Sequence, residues 1–254
     1  MARDYPILEF DPVRTAVIEP SASGTLAIPL RGIICAFGDV LARVRRGGQL
    51  RILGELRSDF EYGPHPIYEL SIGDRRLAVI HQGVGAPLAA AFLEELIALG
   101  CRTLLACGGA GVLDPAIAVG QVDIPAVAVR DEGTSYHYLP PGREAAASPH
   151  GIAALARTLD AHAVGYTVGK TWTTDAFYRE TPDKVHRRRA EGCLTVEMEA
   201  AALFAVAHFR GATLAQVLYG GGDSSGTAWN DRRWETHAIR ERLFWLAAEA
   251  CLDL

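Results

Sequence analysis

Short apolar runs alternate with longer segments of helical periodicity along most of this chain, and this alternation limits the fold more than any other feature. Continuous apolar runs of about four to eight residues are typical of buried strands, whereas apolar residues spaced three and four apart are typical of helices. The Gly73-Asp74 pair between two strand-like runs predicts a hairpin. The pattern therefore predicts an α/β fold with helices layered on a mixed sheet.

We interpret residues 1–254 as a single domain. We predict strands at 14–20, 32–38, 51–58, 67–73, 75–83, 102–111, 121–133, 163–174, 194–200 and 213–222. We predict helices at 87–100, 148–162, 183–192, 200–211 and 237–254, with Ser148 placed to cap the second of them.

Composition excludes several classes of protein. Hydrophobic residues form 49% and charged residues 22% of the chain, as in ordinary globular proteins. The net charge of −5 offers no basic surface for nucleic acid. The first residues include acids and a proline where a signal peptide needs an apolar run, and no segment reaches the roughly 18 apolar residues of a membrane span. We therefore expect a cytoplasmic protein that binds neither nucleic acid nor membrane.

The cysteines do not have the spacing of a metal site or of a disulfide framework. Their number is odd and no two form a CxxC pair, so we interpret them as buried, reduced thiols and expect no metal. They are Cys35, Cys101, Cys107, Cys193 and Cys251.

Three glycine clusters follow predicted strands, where ligands gather in α/β sheets. Residues 83–87 precede a helix, so their backbone N–H groups suit an anion, and a tight turn that needs positive φ is an equal alternative. Residues 107–111 form the second cluster. The third, at 219–226, presents Asp223 at the end of a long apolar strand, and we interpret this carboxylate as one that takes part in the chemistry of the site.

Glu197 and Glu199 interrupt an otherwise apolar stretch, on either side of Met198. Buried carboxylates are costly without partners, and one here is suited to accept hydrogen bonds from sugar hydroxyls. A helix N-terminus enriched in Glu explains one of them better than two. Phe177 and Tyr178 follow another strand, and they either stack on a flat base or cover the core.

These motifs, in this order, resemble the nucleoside phosphorylase superfamily, which includes purine nucleoside phosphorylase, uridine phosphorylase and methylthioadenosine nucleosidase. The resemblance runs from about residue 75 to 225, and its most specific piece is VEMEAAA at 196–202. The other pieces are GVGAP at 83–87, CGGAGVLDPAIAVGQV at 107–122, VRDEG at 129–133, TTDAFY at 173–178 and Asp223. The resemblance implies a three-layer α/β/α sandwich around a central mixed β-sheet, assembled as a homodimer or a ring of dimers.

The resemblance also implies an enzyme that transfers the ribosyl group of a nucleoside through an oxocarbenium-like transition state. Glu199 resembles the glutamate that binds the ribose hydroxyls, Met198 the methionine beneath the sugar, and Phe177 the aromatic that packs on the base. Asp223 resembles the acid that protonates a purine at N7, a step worth about 10²–10⁴-fold. Uridine phosphorylases generally lack this acid, so the substrate we expect is a purine nucleoside.

The chain departs from the family pattern at the phosphate site. Ala106 and Gly109 stand where phosphorylases carry an arginine and a serine or threonine, and residues 18–29 stand where a Gly-Asp-Pro-x-x-Arg segment is expected. Arg232 and Arg233 are candidates to support the acid. The groups we expect at an anion are Gly83, Gly85, Gly108 and Arg130, and those at the nucleoside include Glu197, Gly109, Ala110 and Gly111.

Three functions follow from this pattern. Phosphorolysis, with inorganic phosphate as co-substrate and no other cofactor, is the one we favour. Hydrolysis by water is favoured by the missing arginine. A non-catalytic nucleoside-binding protein is the third, and the presence of Glu199 together with Asp223 speaks against it.

Overall fold

The computed structural model of the protein describes residues 5–20, 26–56, 65–232 and 237–254. In these ranges the strands are β1 (Arg31–Cys35), β2 (Leu50–Leu56), β3 (His65–Ile72), β4 (Arg75–His81), β5 (Thr103–Val112), β6 (Val122–Asp131), β7 (Glu144–Ala146), β8 (Tyr166–Thr174), β9 (Cys193–Glu197) and β10 (Thr213–Asp223). The α-helices are α1 (Gly38–Arg46), α2 (Ala86–Ala98), α3 (Pro149–Ala161), α4 (Pro182–Ala190), α5 (Ala200–Arg210) and α6 (His237–Leu252).

The strands form one mixed sheet in the order β10-β6-β8-β9-β5-β1-β4-β3-β2, and β10 also pairs with β5. This second pairing closes β5, β9, β8, β6 and β10 into a ring, while β1, β4, β3 and β2 extend from β5 as an open sheet. The predicted hairpin is confirmed, because β3 and β4 are antiparallel neighbours. A closed ring has no free strand edge to attract other chains.

The helices cover the sheet in two groups. α1, α3 and α6 pack together, with α6 on β1 and β5, while α2 packs on α5, which contacts β6, β8 and β10. Residues 200–207 of α5 are all buried, as expected for a helix that is apolar on every side. The predicted α/β architecture is confirmed. Within the described ranges, no helix has the length and apolarity required to cross a bilayer.

Residues 14–20 do not form a strand, so that prediction is wrong. Val17 and Ile18 are exposed, and no strand of the described ranges pairs with the segment. An apolar run forms a strand only where a neighbouring strand supplies hydrogen bonds and cover. The segment contacts α5 instead, where the carbonyl oxygen of Arg14 accepts a hydrogen bond from Arg210 Nη1 at 2.9 Å.

The sequence did not predict α1 or β7. α1 is rich in arginine and buries only Val40, Leu41 and Val44, so its apolar stripe is narrow. β7 has three residues, and among the strands of the described ranges it pairs only with β6. Ser148 occupies the N-cap of α3 as predicted, but its side chain makes no capping hydrogen bond.

β5 pairs with β1 along its first half and with β9 at its end, and an opening in the sheet lies between these two pairings. Cys107 pairs with Cys35 on β1, and Gly111 pairs with Val196 on β9. Between these points, residues 108–110 have β10 as their only strand partner in the described part of the chain. The opening lies beyond the carboxyl end of β1, where α/β sheets bind ligands.

The ring of strands encloses one carboxyl group whose charge is poorly compensated. Asp123 on β6 is 5% exposed. Its Oδ2 lies 3.5 Å from the Thr195 hydroxyl, and its Oδ1 has no hydrogen-bond partner among the described residues. Burial raises the pKa of Asp123 to about 7, although the Thr195 hydrogen bond opposes the shift. The group also borders a cavity of about 70 Å³.

We expect Asp123→Asn to stabilise the protein at pH 8 by about 2 kcal/mol more than at pH 5. Because the pKa is raised on folding to about 7, the folded chain binds more protons than the unfolded chain between about pH 4 and pH 7. Wild-type stability therefore falls as the pH rises through this window and is flat above it, whereas Asn is neutral throughout. Urea unfolding at pH 5 and pH 8 measures the difference, and an Asn variant with the same pH dependence as wild type would contradict it.

Candidate active site

A cavity of about 560 Å³ opens beside the ends of β9 and β10, a volume in the range of small-molecule sites. Three segments form most of its wall: the short 3₁₀ helix Phe177–Arg179 with the residues after it, the end of β9, and the loop after β10. The lining residues are Gly111, Phe177, Tyr178, Glu180, Pro182, Val196, Glu197, Met198, Ser224, Gly226, Thr227, Ala228 and Trp229.

The structure places part of the predicted nucleoside-binding set at this cavity, whereas Gly109 and Ala110 are not among the residues that line it. Those that line it are Gly111, Phe177, Glu197 and Met198. Two carboxylates adjoin it along the chain, since Asp223 precedes the lining residue Ser224 and Glu199 follows the lining residue Met198. Their roles in binding and catalysis stay predictions.

Asp223 ends β10 and is held in a turn. Its backbone exchanges hydrogen bonds of 2.7 and 3.0 Å with Asn230, and its Oδ1 accepts a hydrogen bond from the Ser225 N–H at 2.8 Å. Burial raises the pKa of Asp223, but the hydrogen bonds from Ser225 and the charge of Arg232 outweigh burial, so the pKa lies below its ordinary value. Asp223 is therefore ionised at neutral pH.

Arg232 acts on Asp223 through its charge, while its donors bind backbone. Nε donates to the Gly221 carbonyl at 3.0 Å, and Nη1 donates to the Ile117 carbonyl at 2.7 Å. These bonds tie the loop after β10 to β10 itself and to the connection between β5 and β6. Arg233, the other predicted supporting arginine, lies outside the described residues.

Glu199 stands at the N-cap of α5, where the chain leaves β9. Its Oε1 accepts a hydrogen bond from the Gly85 N–H at 2.6 Å, which joins the 196–202 motif to the glycine cluster at 83–87. Burial raises the pKa of Glu199, and the N–H groups of Gly85 and Met198 oppose the shift. The positive end of α5 further favours a negative charge here.

Glu197 is buried with protein donors on both of its oxygens. Oε1 accepts a hydrogen bond from the Thr173 hydroxyl at 2.6 Å, and Oε2 accepts from the N–H groups of Glu199 and Ala200 at 2.7 and 2.6 Å. Burial, followed by the charge of Glu199, raises the pKa of Glu197. These contacts fix the first turn of α5 and favour a structural role for Glu197, which leaves Glu199 as the carboxylate suited to a ligand.

The glycine cluster at 83–87 uses its N–H groups within the protein. The Gly83 N–H donates to His81 Nδ1 at 3.2 Å, and the Gly85 N–H is bound to Glu199. Burial lowers the pKa of His81, so its ring is neutral and able to accept. The φ angles of Gly83 and Gly85 are +72° and +95°, so the turn requires glycine. The geometry thus favours the tight-turn interpretation over the anion site.

The opening beside residues 108–110 offers a backbone N–H. Because the Cys107 carbonyl accepts a hydrogen bond from the Ala36 N–H at 3.0 Å, the backbone of Cys107 faces β1. The alternation of the strand then turns Gly109 toward the opening and its two neighbours toward β10. A Cβ at Gly109 would lie 3.0 Å from the ring of Tyr219, which is fully buried.

Arg130 is held in a network of its own. Nε donates to the Ser135 hydroxyl at 2.8 Å, Nη1 to the Pro140 carbonyl at 2.8 Å and Nη2 to the Leu139 carbonyl at 3.2 Å. The guanidinium also lies over the ring of Tyr136. Since each of its nitrogens has a protein acceptor, the geometry favours a structural role over phosphate binding.

The Gly-Asp segment of the family pattern follows β1 directly. Residues 38–43 are Gly-Asp-Val-Leu-Ala-Arg, so a valine replaces the proline, and the expectation that residues 18–29 stand in place of this segment is wrong. Arg43, at the end of the segment, pairs with Asp39 at 3.4 Å and with Glu241 at 3.1 Å. Two acidic partners therefore surround the segment's arginine.

Arg240 on α6 brings a positive charge close to Gly109. It pairs with Asp39 at 3.0 Å, and its Nε donates to the Tyr219 hydroxyl at 3.2 Å. Its guanidinium lies over the ring of Phe37. The sequence did not single out this arginine, because only the fold brings the start of α6 to the end of β1.

The sequence did not predict two further residues of the cavity. Glu180 lines it, and burial raises the pKa of Glu180 to about 7, opposed by a hydrogen bond with the Ser224 side chain. Trp229 lines the cavity from the loop after β10. It packs on Gly222, where an added Cβ would lie 2.7 Å from the indole nitrogen. The sequence signal was limited to one acid after two aromatics and one tryptophan in a polar loop.

Comparisons with known proteins identify the family and the fold of this chain. The family model described as the phosphorylase superfamily matches residues 30–243. Guanosine phosphorylase of Halorubrum lacusprofundi is 31% identical over 58% of this chain and 61% of its own length, so the match spans less than two thirds of that relative. Uridine phosphorylase of Thermococcus kodakarensis is 30% identical over 70% of this chain and 72% of its own length. The crystal structure of Toxoplasma gondii purine nucleoside phosphorylase in complex with immucillin-H superposes with a TM-score of 0.76 at 21% identity, over 89% of this chain and 91% of that one, and shares the fold.

Proposed function

We propose that this chain, which belongs to the phosphorylase superfamily, cleaves the N-glycosidic bond of a purine nucleoside. The observation that carries the proposal is the cavity of about 560 Å³, whose lining residues Ser224 and Met198 are adjacent in sequence to Asp223 and Glu199. Relatives named as guanosine and uridine phosphorylases support cleavage of a nucleoside. The choice of a purine rests on Asp223.

In this proposal Asp223 assists departure of the base by protonating N7. Its pKa is lowered by Ser225 and Arg232, so the carboxylate must gain a proton when the substrate binds. A bound base excludes water from the turn, and this added burial raises the pKa toward the range that a general acid needs. The protonated purine then leaves as a neutral base.

Glu199 binds the sugar in this proposal. Its Oε1 is fixed by Gly85, so the carboxylate is oriented before a ligand arrives. Sugar hydroxyls donate to the charged group, and the hydrogen bonds strengthen as positive charge develops on the ribosyl ring. Met198, the lining residue beside it, forms the apolar surface beneath the sugar.

Phosphate is the acceptor that we place first. The relatives named above are phosphorylases, and Arg240 lies beside the Tyr219 ring that packs on Gly109. The N–H of Gly109, which faces the opening of the sheet, is the group that favours an anion there, and the Arg240 guanidinium, which pairs with Asp39, lies nearby.

Water is the second candidate acceptor. Ala106 and Gly109 supply no charged or hydroxyl side chain, Arg130 is bound by three acceptors, and the N–H groups of Gly83 and Gly85 are already used. A site with so few donors for phosphate favours hydrolysis. The two candidates differ only in the nucleophile, so one assay separates them.

Purified protein with guanosine, inosine, adenosine and uridine, each with and without phosphate, tests the proposal. We expect turnover of the purine nucleosides to require phosphate and to yield ribose 1-phosphate. Free ribose without phosphate would instead establish hydrolysis. Binding of nucleosides without any turnover would overturn the enzymatic proposal.

We also propose, as the family resemblance implies, that the chain assembles as a homodimer or a ring of dimers. Light scattering coupled to size-exclusion chromatography measures the mass directly. A monomer at the working concentration of the assay would contradict this part of the proposal.

A further inference from the structure

We propose that Asp123 and the hydroxyl groups beside it bind a monovalent metal cation, sodium or potassium, inside the ring of strands. The site is separate from the candidate active site, since no described residue lines both cavities. Such a site is independent of the proposed function, and stability and direct binding test it without any turnover.

The cavity that Asp123 borders has room for an ion and a path to solvent. Its volume of about 70 Å³ is several times what one water needs, so a cation can enter with part of its hydration shell. Gln121 is exposed and Thr167 is half-buried, so the cavity reaches the surface between them. The lining residues besides Asp123 are Ile117, Gln121, Thr167, Leu194, Thr195 and Gly220.

The buried carboxyl group of Asp123 receives very little hydrogen bonding from the protein. Within the described ranges Oδ1 has no partner, and Oδ2 has the Thr195 hydroxyl at 3.5 Å. That hydroxyl has a closer acceptor, because Thr171 Oγ1 lies at 3.0 Å from it. A hydroxyl carries a single hydrogen. When Thr195 donates to Thr171, neither oxygen of Asp123 receives a hydrogen bond from the described side chains.

The neighbouring hydroxyl groups present oxygen lone pairs. Thr171 donates its own hydrogen to the Thr195 carbonyl at 3.3 Å, so its oxygen is free to accept from Thr195. A lone pair of Thr195 Oγ1 then remains for a cation beside Asp123. At the mouth of the cavity, Thr167 Oγ1 accepts a hydrogen bond from Gln121 Nε2 at 3.4 Å and keeps a second lone pair.

A bound cation would compensate a charge that the protein leaves uncompensated. In the described part of the chain, no lysine, arginine or histidine lines this cavity. Buried charges are stable when they are paired or coordinate a metal. Without a cation, burial raises the pKa of Asp123 to about 7, so the group takes up a proton near neutral pH. With a cation beside it, the carboxylate stays ionised.

The ligand set favours a monovalent cation over a divalent one. Calcium and the transition metals are held by several carboxylate, imidazole or thiolate groups. Among the residues that the structure describes, no three His, Cys, Asp or Glu side chains are placed to hold a metal. One carboxylate with neutral hydroxyl oxygens carries a single negative charge, which one positive charge neutralises.

The site exists only in the folded chain. Its oxygens come from β6, β8 and β9, which are far apart in sequence and are brought together by closure of the ring. A ligand that binds the folded state alone stabilises it by mass action. The pH dependence expected above for Asp123 therefore applies to buffer without sodium or potassium, and saturating cation should reduce it.

Urea unfolding at pH 8 tests the site, with sodium or potassium chloride replacing choline chloride at a constant ionic strength of about 0.2 M. We expect the equilibrium constant for unfolding to fall about 10-fold or more with at least one of the two cations. Asp123→Asn should abolish the response, whereas Asp160→Asn, at an exposed carboxylate on α3, should keep it. No response in the wild type, or an equal response in the Asp123 variant, would overturn the proposal.

Thallium(I) locates the site directly, because it is monovalent and scatters X-rays anomalously. We expect wild-type crystals soaked in thallous acetate to show an anomalous peak against the Asp123 carboxyl group, and crystals of the Asn variant to show none there. Peaks confined to other parts of the protein would overturn the proposal, whatever the unfolding experiment gives.

Discussion

Asp223→Asn is expected to lower kcat/KM for a purine nucleoside by about 10²–10⁴-fold. Asn cannot deliver a proton to N7, so the base must leave as an anion. The substitution should spare the fold, because an amide oxygen still accepts the Ser225 N–H that the carboxylate accepts at 2.8 Å. Steady-state kinetics with guanosine measures the loss, and urea unfolding checks that stability is unchanged.

Asp160→Asn is the control for this variant, since Asp160 is an exposed carboxylate on α3. It should have wild-type activity. A riboside whose leaving group departs without protonation, such as a nitrophenyl riboside, should be cleaved almost equally by wild type and by the Asp223 variant. Wild-type rates with guanosine in the Asp223 variant would remove this residue as the acid.

Glu199→Gln is expected to lower kcat/KM by about 10²–10³-fold, with a large part of the loss in kcat. In the proposed role, a neutral group replaces the charged one, which weakens its hydrogen bonds from the sugar hydroxyls where positive charge develops. The Gln oxygen can still accept the Gly85 N–H, so the junction between 83–87 and α5 should remain. The measurement is kcat and KM for guanosine and for 2′-deoxyguanosine.

The comparison with 2′-deoxyguanosine tests whether Glu199 contacts the 2′-hydroxyl. If Glu199 holds the 2′-hydroxyl, the variant should lose less activity on 2′-deoxyguanosine than on guanosine. Glu249→Gln, at a partly exposed carboxylate on α6 that pairs with His162, serves as the control. A Glu199 variant that changes only the affinity for free base would contradict its placement at the sugar.

Local sequence patterns predicted most elements of this fold because the patterns are themselves local. The hairpin of β3 and β4 follows from Gly73-Asp74, and the β9–α5 junction coincides with the VEMEAAA motif. Residues 14–20 were wrong for the opposite reason, since whether an apolar run becomes a strand depends on a partner elsewhere in the chain. α1 was missed because only three of its side chains are buried.

The site was less predictable because it depends on contacts between distant segments. Arg130 has the composition of an anion ligand, yet the carbonyls at 139 and 140 fold back onto its guanidinium. Glu197 and Glu199 are alike in sequence, and only their hydrogen-bond partners separate a structural carboxylate from one suited to a ligand. The sequence did not predict that Glu180 lines the cavity, because the cavity also requires residues from 224–229, which are distant along the chain.

The contact between Gly109 and Tyr219 disfavours a hydroxyl-bearing side chain at this position of β5. A serine or threonine at 109 would bring its Cβ to 3.0 Å from a buried ring whose hydroxyl is bound by Arg240. A side chain at 109 therefore requires the Tyr219 ring to shift by a few tenths of an ångström, which disturbs the hydrogen bond that Arg240 donates to it. We therefore expect relatives that carry a tyrosine at 219 to favour glycine at 109.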